Sequence, residues 1–307
     1  MIFSSLVFLF GFLPLFLLIY HLAPVRARNW VAMAGSVVFY AWGAPRFILL
    51  LAVSCLIDFA VGRRLAAPAP RRRAWLVVGL IANVSVLLYF KYANFFVGQC
   101  NAVLQSVGFP ECGWTAVILP IGISFFTFQK ISYLVDVYRG TARQATSFHD
   151  YLLYVILFPQ LIAGPIVRYH DVAAQITRRE HSVDRFARGV FRFCLGLGKK
   201  VLVANTLAEV ADKAFKAGPD ELGCASAWIG LLAYSFQIFF DFAGYSDMAI
   251  GLGRMMGIEF LENFNAPYIS RNFTEFWRRW HISLSNFMKE YLYVPLGGNR
   301  ASELRTY

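Results

Sequence analysis

The chain has 307 residues, 58% of them hydrophobic and only 15% charged, with 29 Lys and Arg against 18 Asp and Glu for a net charge of +11. Soluble domains carry about 25% charged residues, and here the apolar residues come in blocks long enough to make the bilayer the solvent. This composition excludes a soluble globular protein, and equally a disordered, collagen-like or disulfide-dense chain.

Residues 3–20 open the chain as an apolar run. No Lys or Arg precedes it, and its exit, Tyr20-His21-Leu22-Ala23-Pro24, is a poor cleavage site, so an uncleaved first helix is expected rather than an export signal. Further apolar stretches cover residues 30–57, 75–97, 114–137, 151–167, 190–204 and 227–250, giving about seven hydrophobic units. The loop 63–73 carries five Arg and no acid, whereas 98–113 carries no Lys or Arg, which places the first in the cytoplasm and the second outside. Arg26 and Arg28 also ask for the cytoplasm. A break at Gly43-Ala44-Pro45 reconciles them by making residues 30–56 a hairpin of two short helices; a single span would put residue 1 on the opposite side.

Phe158-Pro159 and Gly164-Pro165 interrupt the 151–167 stretch, which is either broken and held against protein or carries an ordinary proline kink. Residues 168–200 turn basic and read as a cytoplasmic amphipathic connection drawn to anionic lipid. The five cysteines contain no CxxC, so neither a zinc knuckle nor a redox motif is supported; Cys100 and Cys112 share the outer loop as a disulfide or as two free thiols. His21, His149, His170 and His181 are scattered, which favours solvated or interfacial roles over metal ligation. The basic charge flanks membrane segments, so membrane lipids are the partner it needs and nucleic acid is not.

Asp58, Lys91, Lys130, Asp136, Asp241 and Asp247 sit in or beside apolar runs, where a charge costs about 2.5–3.5 kcal/mol on insertion scales. Asp58, Lys91 and Asp136 lie near segment ends and are expected to snorkel to the interface. Gln237, Asp241 and Tyr245 fall at i, i+4 and i+8 on one helical stripe, while Gly244, Gly251, Gly253 and Gly257 permit close helix approach. For Asp241 and Asp247, a buried network holding helices together stands beside a direct catalytic role.

Residues 272–290 predict one helix, opened by an Asn272 and Glu275 capping pattern. Phe276, Trp277, Trp280, Leu284, Phe287 and Met288 fill its apolar arc, and His281 lands at the arc's edge between Trp277 and Ser285. Imidazole titrates near neutrality, so His281 is either a base acting on a hydroxyl or a hydrogen-bonded interfacial residue. Trp277 and Trp280 also suit interfacial anchors, and Arg278 and Arg279 suit ligand phosphates or lipid headgroups.

The segments Asn265-Ala-Pro-Tyr268, Glu275-Phe-Trp-Arg-Arg-Trp-His-Ile-Ser-Leu-Ser285 and Tyr291-Leu-Tyr-Val-Pro-Leu-Gly-Gly-Asn-Arg300 resemble the membrane-bound O-acyltransferase family, within it the bacterial alginate O-acetyltransferase branch. Phe39-Tyr-Ala-Trp42, Pro120-Ile-Gly-Ile-Ser-Phe-Phe-Thr-Phe-Gln129, Phe158-Pro-Gln-Leu-Ile-Ala-Gly-Pro165 and Asp241-Phe-Ala-Gly-Tyr-Ser-Asp247 extend the likeness upstream. Teichoic acid D-alanine transferases are similar but less close. The resemblance implies an all-α, polytopic integral membrane protein, a helical bundle with interfacial amphipathic helices, with residues 1–307 in one transmembrane domain. It implies an acyltransferase of the bacterial inner membrane that moves an acetyl group from a cytoplasmic donor through a tunnel, toward hydroxyls of an exported polysaccharide such as alginate. Acetyl-CoA would be a co-substrate, with no tightly bound cofactor and no metal, and periplasmic acetyltransferases would be partners.

His281 matches the family's first active-site histidine. Gln237, Asp241, Tyr245, Asp247, Trp277, Arg278, Arg279, Trp280, Ser285 and Asn299 are expected to bind substrate or hold the network around it. The family's second histidine, usually given the general-base role, lies in a Gly-Leu-Trp-His-Gly type segment soon after Gly-Gly-Asn-Arg. That residue is therefore expected beyond Tyr307, together with several C-terminal helices. Asp241, Asp247 and the broken 158–165 stretch suggest a competing transporter or flippase, though no paired broken segment accompanies them; an inactive remnant is the third reading.

Overall fold

The computed structural model describes residues 1–67, 70–162, 164–218 and 222–300, and these form helices and irregular segments with no strand among them. Pro68 and Ala69 of the basic loop and Ala163 of the broken stretch lie outside the described residues. So does Tyr307, the position beyond which the second family histidine is expected.

A π-helical segment, Val7–Phe12, runs into α1 (Leu13–Leu22), and α2 (Arg28–Gly43) follows. Phe3, Phe8, Phe12, Phe16, Phe39 and Phe158 interlock here, with contacting ring centroids 5.1–6.4 Å apart. The chain breaks where Gly43-Ala44-Pro45 predicts, Ala44 leaving the helical region at φ −150° and ψ 56°. The second arm is not short, however. Nothing between Pro45 and Pro68 removes a backbone donor, so α3 (Ile48–Ala66) runs for 19 residues, about 28 Å at 1.5 Å per residue.

The 35-residue α4 (Arg72–Ser106) comes next, and α5 (Ile123–Arg139) begins only after Gly122. Residues 114–122, expected to be helical, instead run irregularly along α4, where Asn94 pairs with the Val117 backbone and the Trp114 side chain. Its Oδ1 accepts from Val117 N and Trp114 Nε1, both at 2.9 Å, and its Nδ2 donates to Val117 O at 2.8 Å. Gly122 permits the return, with φ at 76° and no room for a side chain: a Cβ there would sit 2.5 Å from the Leu161 carbonyl oxygen. Cys100 and Cys112 are both free thiols.

The 151–167 stretch is broken rather than kinked. It comprises α6 (Phe148–Ile156), a single turn α7 (Phe158–Leu161) and an irregular return to α8 (Tyr169–Thr177). Two of the freed amides meet protein side chains: Phe158 N donates to Ser36 Oγ at 3.1 Å and Ile166 N to Ser283 Oγ at 2.8 Å, the kind of partner that irregular backbone within a bundle needs. Helix α9 (Val183–Gly198) passes through a π-helical turn, Lys199–Ala204, into α10 (Asn205–Lys216). The apolar stretch 190–204 is therefore the middle of one long helix and not a crossing of its own. Arg192, Lys199 and Lys200 give it a charged face that needs carboxylate partners.

Those partners come from α11 (Cys224–Met255), which packs on α9 through facing glycines. A Cβ on Gly196 would lie 2.5 Å from the Gly244 carbonyl oxygen, and one on Gly251 would lie 2.6 Å from Phe193 N, so the small residues set the helix separation. Among the described residues three helical stretches are long and apolar enough to cross a bilayer: Pro45–Ala66, Arg72–Ser106 and Cys224–Met255; Val7–Leu22 is apolar but shorter.

Asp58 and Asp136 do not snorkel. Asp58 is 1% exposed, 3.1 Å from Lys130 Nζ, and accepts from Asn83 Nδ2 at 2.7 Å. Asp136 is also buried, accepting from His170 Nδ1 and Tyr291 OH, each at 2.8 Å. Neighbouring helices supply partners inside the bundle, which removes the reason to reach for the interface. Lys91 is exposed on α4, its ammonium 5.5 Å from the Tyr92 ring.

Candidate active site

The expected capping pattern forms at α12 (Phe273–Arg279): Asn272 Oδ1 accepts from Glu275 N at 2.8 Å, and Glu275 Oε2 accepts from Arg271 N at 3.0 Å. The expected continuous helix does not. It stops at Arg279, and α13 (Ile282–Met288) begins after His281, which adopts the left-handed conformation at φ 44° and ψ 54°. That conformation costs about 1–2 kcal/mol for a residue with a Cβ. Two backbone hydrogen bonds compensate: Asn265 N donates to Arg279 O and Ile282 N to Asn263 O, both at 2.9 Å. A straight helix would withhold that carbonyl and that amide from the 263–265 segment.

The break turns the imidazole into the protein. His281 is 9% exposed, and its Nδ1 lies 3.1 Å from Oδ1 of Asn263, itself 1% exposed. The same Oδ1 accepts from Ser283 Oγ at 2.9 Å and Ser283 N at 3.3 Å, while Asn263 Nδ2 donates to Ser246 Oγ at 3.0 Å. With the amide oxygen placed by the Ser283 N–H, which can only donate, Nδ1 must be the donor, which leaves the lone pair on Nε2. Among the described residues no hydrogen bond reaches Nε2. The Phe242 ring meets the imidazole edge to face at 4.7 Å. Burial holds the His281 pKa down to about 4, so the ring is neutral at physiological pH; it lies outside the three stretches long enough to cross a bilayer.

Helix α11 shows two different faces. Phe242 and Ser246 turn to His281, whereas Asp241 and Asp247 turn to α9. Asp241 lies 2.6 Å from Lys200 Nζ, and Asp247 accepts from Arg192 Nε at 2.7 Å and Lys199 Nζ at 2.6 Å. These pairs join the helices, and both carboxylates have cationic partners in them. Tyr245 stacks on Phe3 at 4.6 Å, and Gln237 is half-buried with no hydrogen-bond partner among the described residues. The stripe of Gln237, Asp241 and Tyr245 is therefore not the one that meets the histidine.

Trp280 stacks on Phe276 at 5.6 Å and meets Phe264 edge to face at 5.2 Å, while Trp277 is 50% exposed. Arg279 pairs with Glu275 at 3.0 Å and donates to Asn265 O at 3.1 Å. Arg278 and Arg279 line a cleft of about 670 Å³ with Asn265, Asn272, Thr274 and Glu275, whose wall does not include the imidazole. Ser285 N donates to His281 O at 3.0 Å, and Asn299 Oδ1 accepts from Tyr293 OH. Of the residues at the ring itself, Asn263, Ser283, Ser246 and Phe242 escaped sequence reasoning. Asn263 stands two positions before the Asn265 motif, but nothing in a pattern says that it reaches a histidine 18 residues on.

Fold and site together define an all-α integral membrane protein with a buried, oriented histidine. The sequence profile of the membrane-bound O-acyltransferase family matches residues 76–307, and the chain belongs to that family. It is 50% identical over its whole length to a probable alginate O-acetylase of Pseudomonas aeruginosa, covering 59% of that protein. It is 40% identical, again over its whole length, to a peptidoglycan O-acetyltransferase of Helicobacter pylori, covering 64% of it. A teichoic acid D-alanyltransferase of Bacillus subtilis is 30% identical over 57% of the chain, which covers 45% of that protein. The chain thus spans about three-fifths of the length of the alginate and peptidoglycan relatives it matches.

Proposed function

We propose that this protein is a multi-pass O-acetyltransferase of the bacterial inner membrane. It moves an acetyl group from acetyl-CoA, a cytoplasmic co-substrate, toward hydroxyls of an exported polysaccharide such as alginate, with periplasmic acetyltransferases as partners. The observation that carries this reading is the contact of His281 Nδ1 with the Asn263 amide oxygen, which makes Nδ1 the donor and leaves Nε2 as a neutral base. In the reaction Nε2 takes the proton of a hydroxyl as its oxygen attacks the thioester carbonyl. The C–O bond forms, the C–S bond breaks, and the imidazolium returns its proton to the leaving thiolate. Positioned acid–base catalysis of this kind contributes about 10²–10⁴-fold. In the family a second histidine shares this work, so His281 either removes the proton or holds the acceptor for removal.

The 50% likeness to an alginate O-acetylase favours a polysaccharide acceptor of that type. Complementation of a strain unable to acetylate its exopolysaccharide, using the complete reading frame, tests this. Radiolabelled acetyl should reach the polymer, and His281→Ala should lower transfer at least a hundredfold with the protein still in the membrane. Undiminished acetylation by His281→Ala would remove the role given to the ring.

A further inference from the structure

Where α1 meets the start of α9, a groove of about 650 Å³ has apolar walls of Pro14, Leu17, Leu18, Val183 and Phe186. Its polar end is formed by His21 and His181, whose rings meet edge to face at 5.9 Å. Two guanidinium groups stand beside that end. Arg179 Nη1 donates to Tyr20 OH at 2.8 Å, Arg28 Nε donates to Ala23 O at 3.3 Å, and Arg28 lies over the Tyr20 ring at 5.8 Å. All of these partners are neutral. Among the described residues no carboxylate comes within 4.0 Å of either guanidinium, and Arg179 Nη2 is buried without a partner.

The histidines do not offset this charge. Burial, reinforced by Arg28, His21 and Arg179, holds His181 down to about 4, so its ring is a neutral lining beside two cations. A buried donor left unmade is costly, and Arg28 and Arg179, which flank the two histidines without themselves lining the groove, have no anion between them among the described residues. The groove below them is apolar, and it lies between an apolar helix and the basic, amphipathic α9. The chemistry that satisfies both ends is an anion joined to a hydrocarbon chain.

We propose that this groove binds one anionic phospholipid, one of its two acyl chains against Pro14, Leu17, Leu18 and Phe186 and its phosphate between Arg28 and Arg179. The size suits a single ligand of moderate dimensions. A zwitterionic headgroup is disfavoured because its ammonium would face the two arginines. The site is independent of acetyl transfer and stands or falls without it.

Native mass spectrometry of the full chain, titrated with phosphatidylglycerol or phosphatidylcholine of matched acyl chains, reads the proposal directly. The wild type should retain one phosphatidylglycerol in preference to phosphatidylcholine. Arg28→Gln with Arg179→Gln should weaken phosphatidylglycerol binding about thirtyfold, from roughly a fivefold contribution per arginine at a membrane surface. Arg63→Gln with Arg64→Gln, at the basic end of α3, should leave it unchanged. Leu18→Trp, on the groove wall at a position 57% exposed, fills the chain's path and should weaken binding without touching a charge, which keeps the test open if the arginine pair does not fold. Equal retention of the two lipids, an equal loss in the α3 variant, or binding of inorganic phosphate alone as tightly as phosphatidylglycerol would each overturn the assignment.

Discussion

Replacing Asn263 by Asp changes one group of the His281 site and nothing of its shape. The carboxylate would stand 3.1 Å from Nδ1, where the amide oxygen stands now. At that separation a charge pair is worth about 5 kcal/mol with an effective dielectric constant of about 20, equivalent to about four pKa units at 1.36 kcal/mol each. Desolvation of the new carboxylate opposes part of this, leaving a net rise of about two units from a ring that burial holds at about 4. The base form is the neutral one, so activity is lost as pH falls through the pKa. The acid limb of the pH–rate profile for acetyl transfer should move up to near 6, and transfer at pH 5 should fall about tenfold relative to the plateau. Asn263→Ala removes the acceptor altogether. It should cost about a hundredfold in rate at every pH, because the tautomer is no longer fixed, and about 1–3 kcal/mol of stability for each buried group that loses its partner, the Ser283 N–H and Ser246 Oγ among them. Asn263 is a positioning residue, and the pH profile separates that role from a merely structural one. An unmoved acid limb in Asn263→Asp, or full activity in a folded Asn263→Ala, would refute the reasoning.

The left-handed backbone at position 281 makes a separate prediction: His281→Gly should be more stable to heat than His281→Ala by about 1 kcal/mol, the reverse of the order in a helix interior. Equal melting temperatures would mean that the break does not persist. Asp58→Asn should destabilise by about 3–5 kcal/mol because it leaves Lys130 charged and buried, and adding Lys130→Met should recover much of the loss in a double-mutant cycle.

The sequence made legible whatever depends on local chemistry. Proline and glycine punctuation located the breaks at 43–45 and 157–165, the Asn272 cap located the start of α12, and the glycines of α11 marked its tight face. What escaped was set by partners far along the chain. Asp58 looked like a segment-end carboxylate because its cation, Lys130, is 72 positions away on another helix. Residues 114–122 read as helix because the side chain that anchors their irregular path at Val117 and Trp114, Asn94, belongs to α4. The arc of Phe276, Trp280 and Phe287 has good helical periodicity, and no local signal announces that Arg279 O and Ile282 N are claimed by the 263–265 backbone. Tertiary hydrogen bonds overrode a favourable helix pattern at the one residue singled out for chemistry.

That override has a chemical counterpart in how the fold distributes charge. Asp58, Asp241 and Asp247 each face a lysine or arginine, and these pairs join α3 to α5 and α9 to α11. His281 is held differently, by an amide oxygen that two groups of Ser283 also share. A carboxylate at Nδ1 would stabilise imidazolium before any substrate arrived, and the base would then be absent over part of the working pH range. A neutral acceptor fixes the same tautomer and still has a dipole aimed at the ring when a proton reaches Nε2. The charged pairs therefore set where the helices stand, and the neutral cradle between α11 and α13 sets what the ring can do.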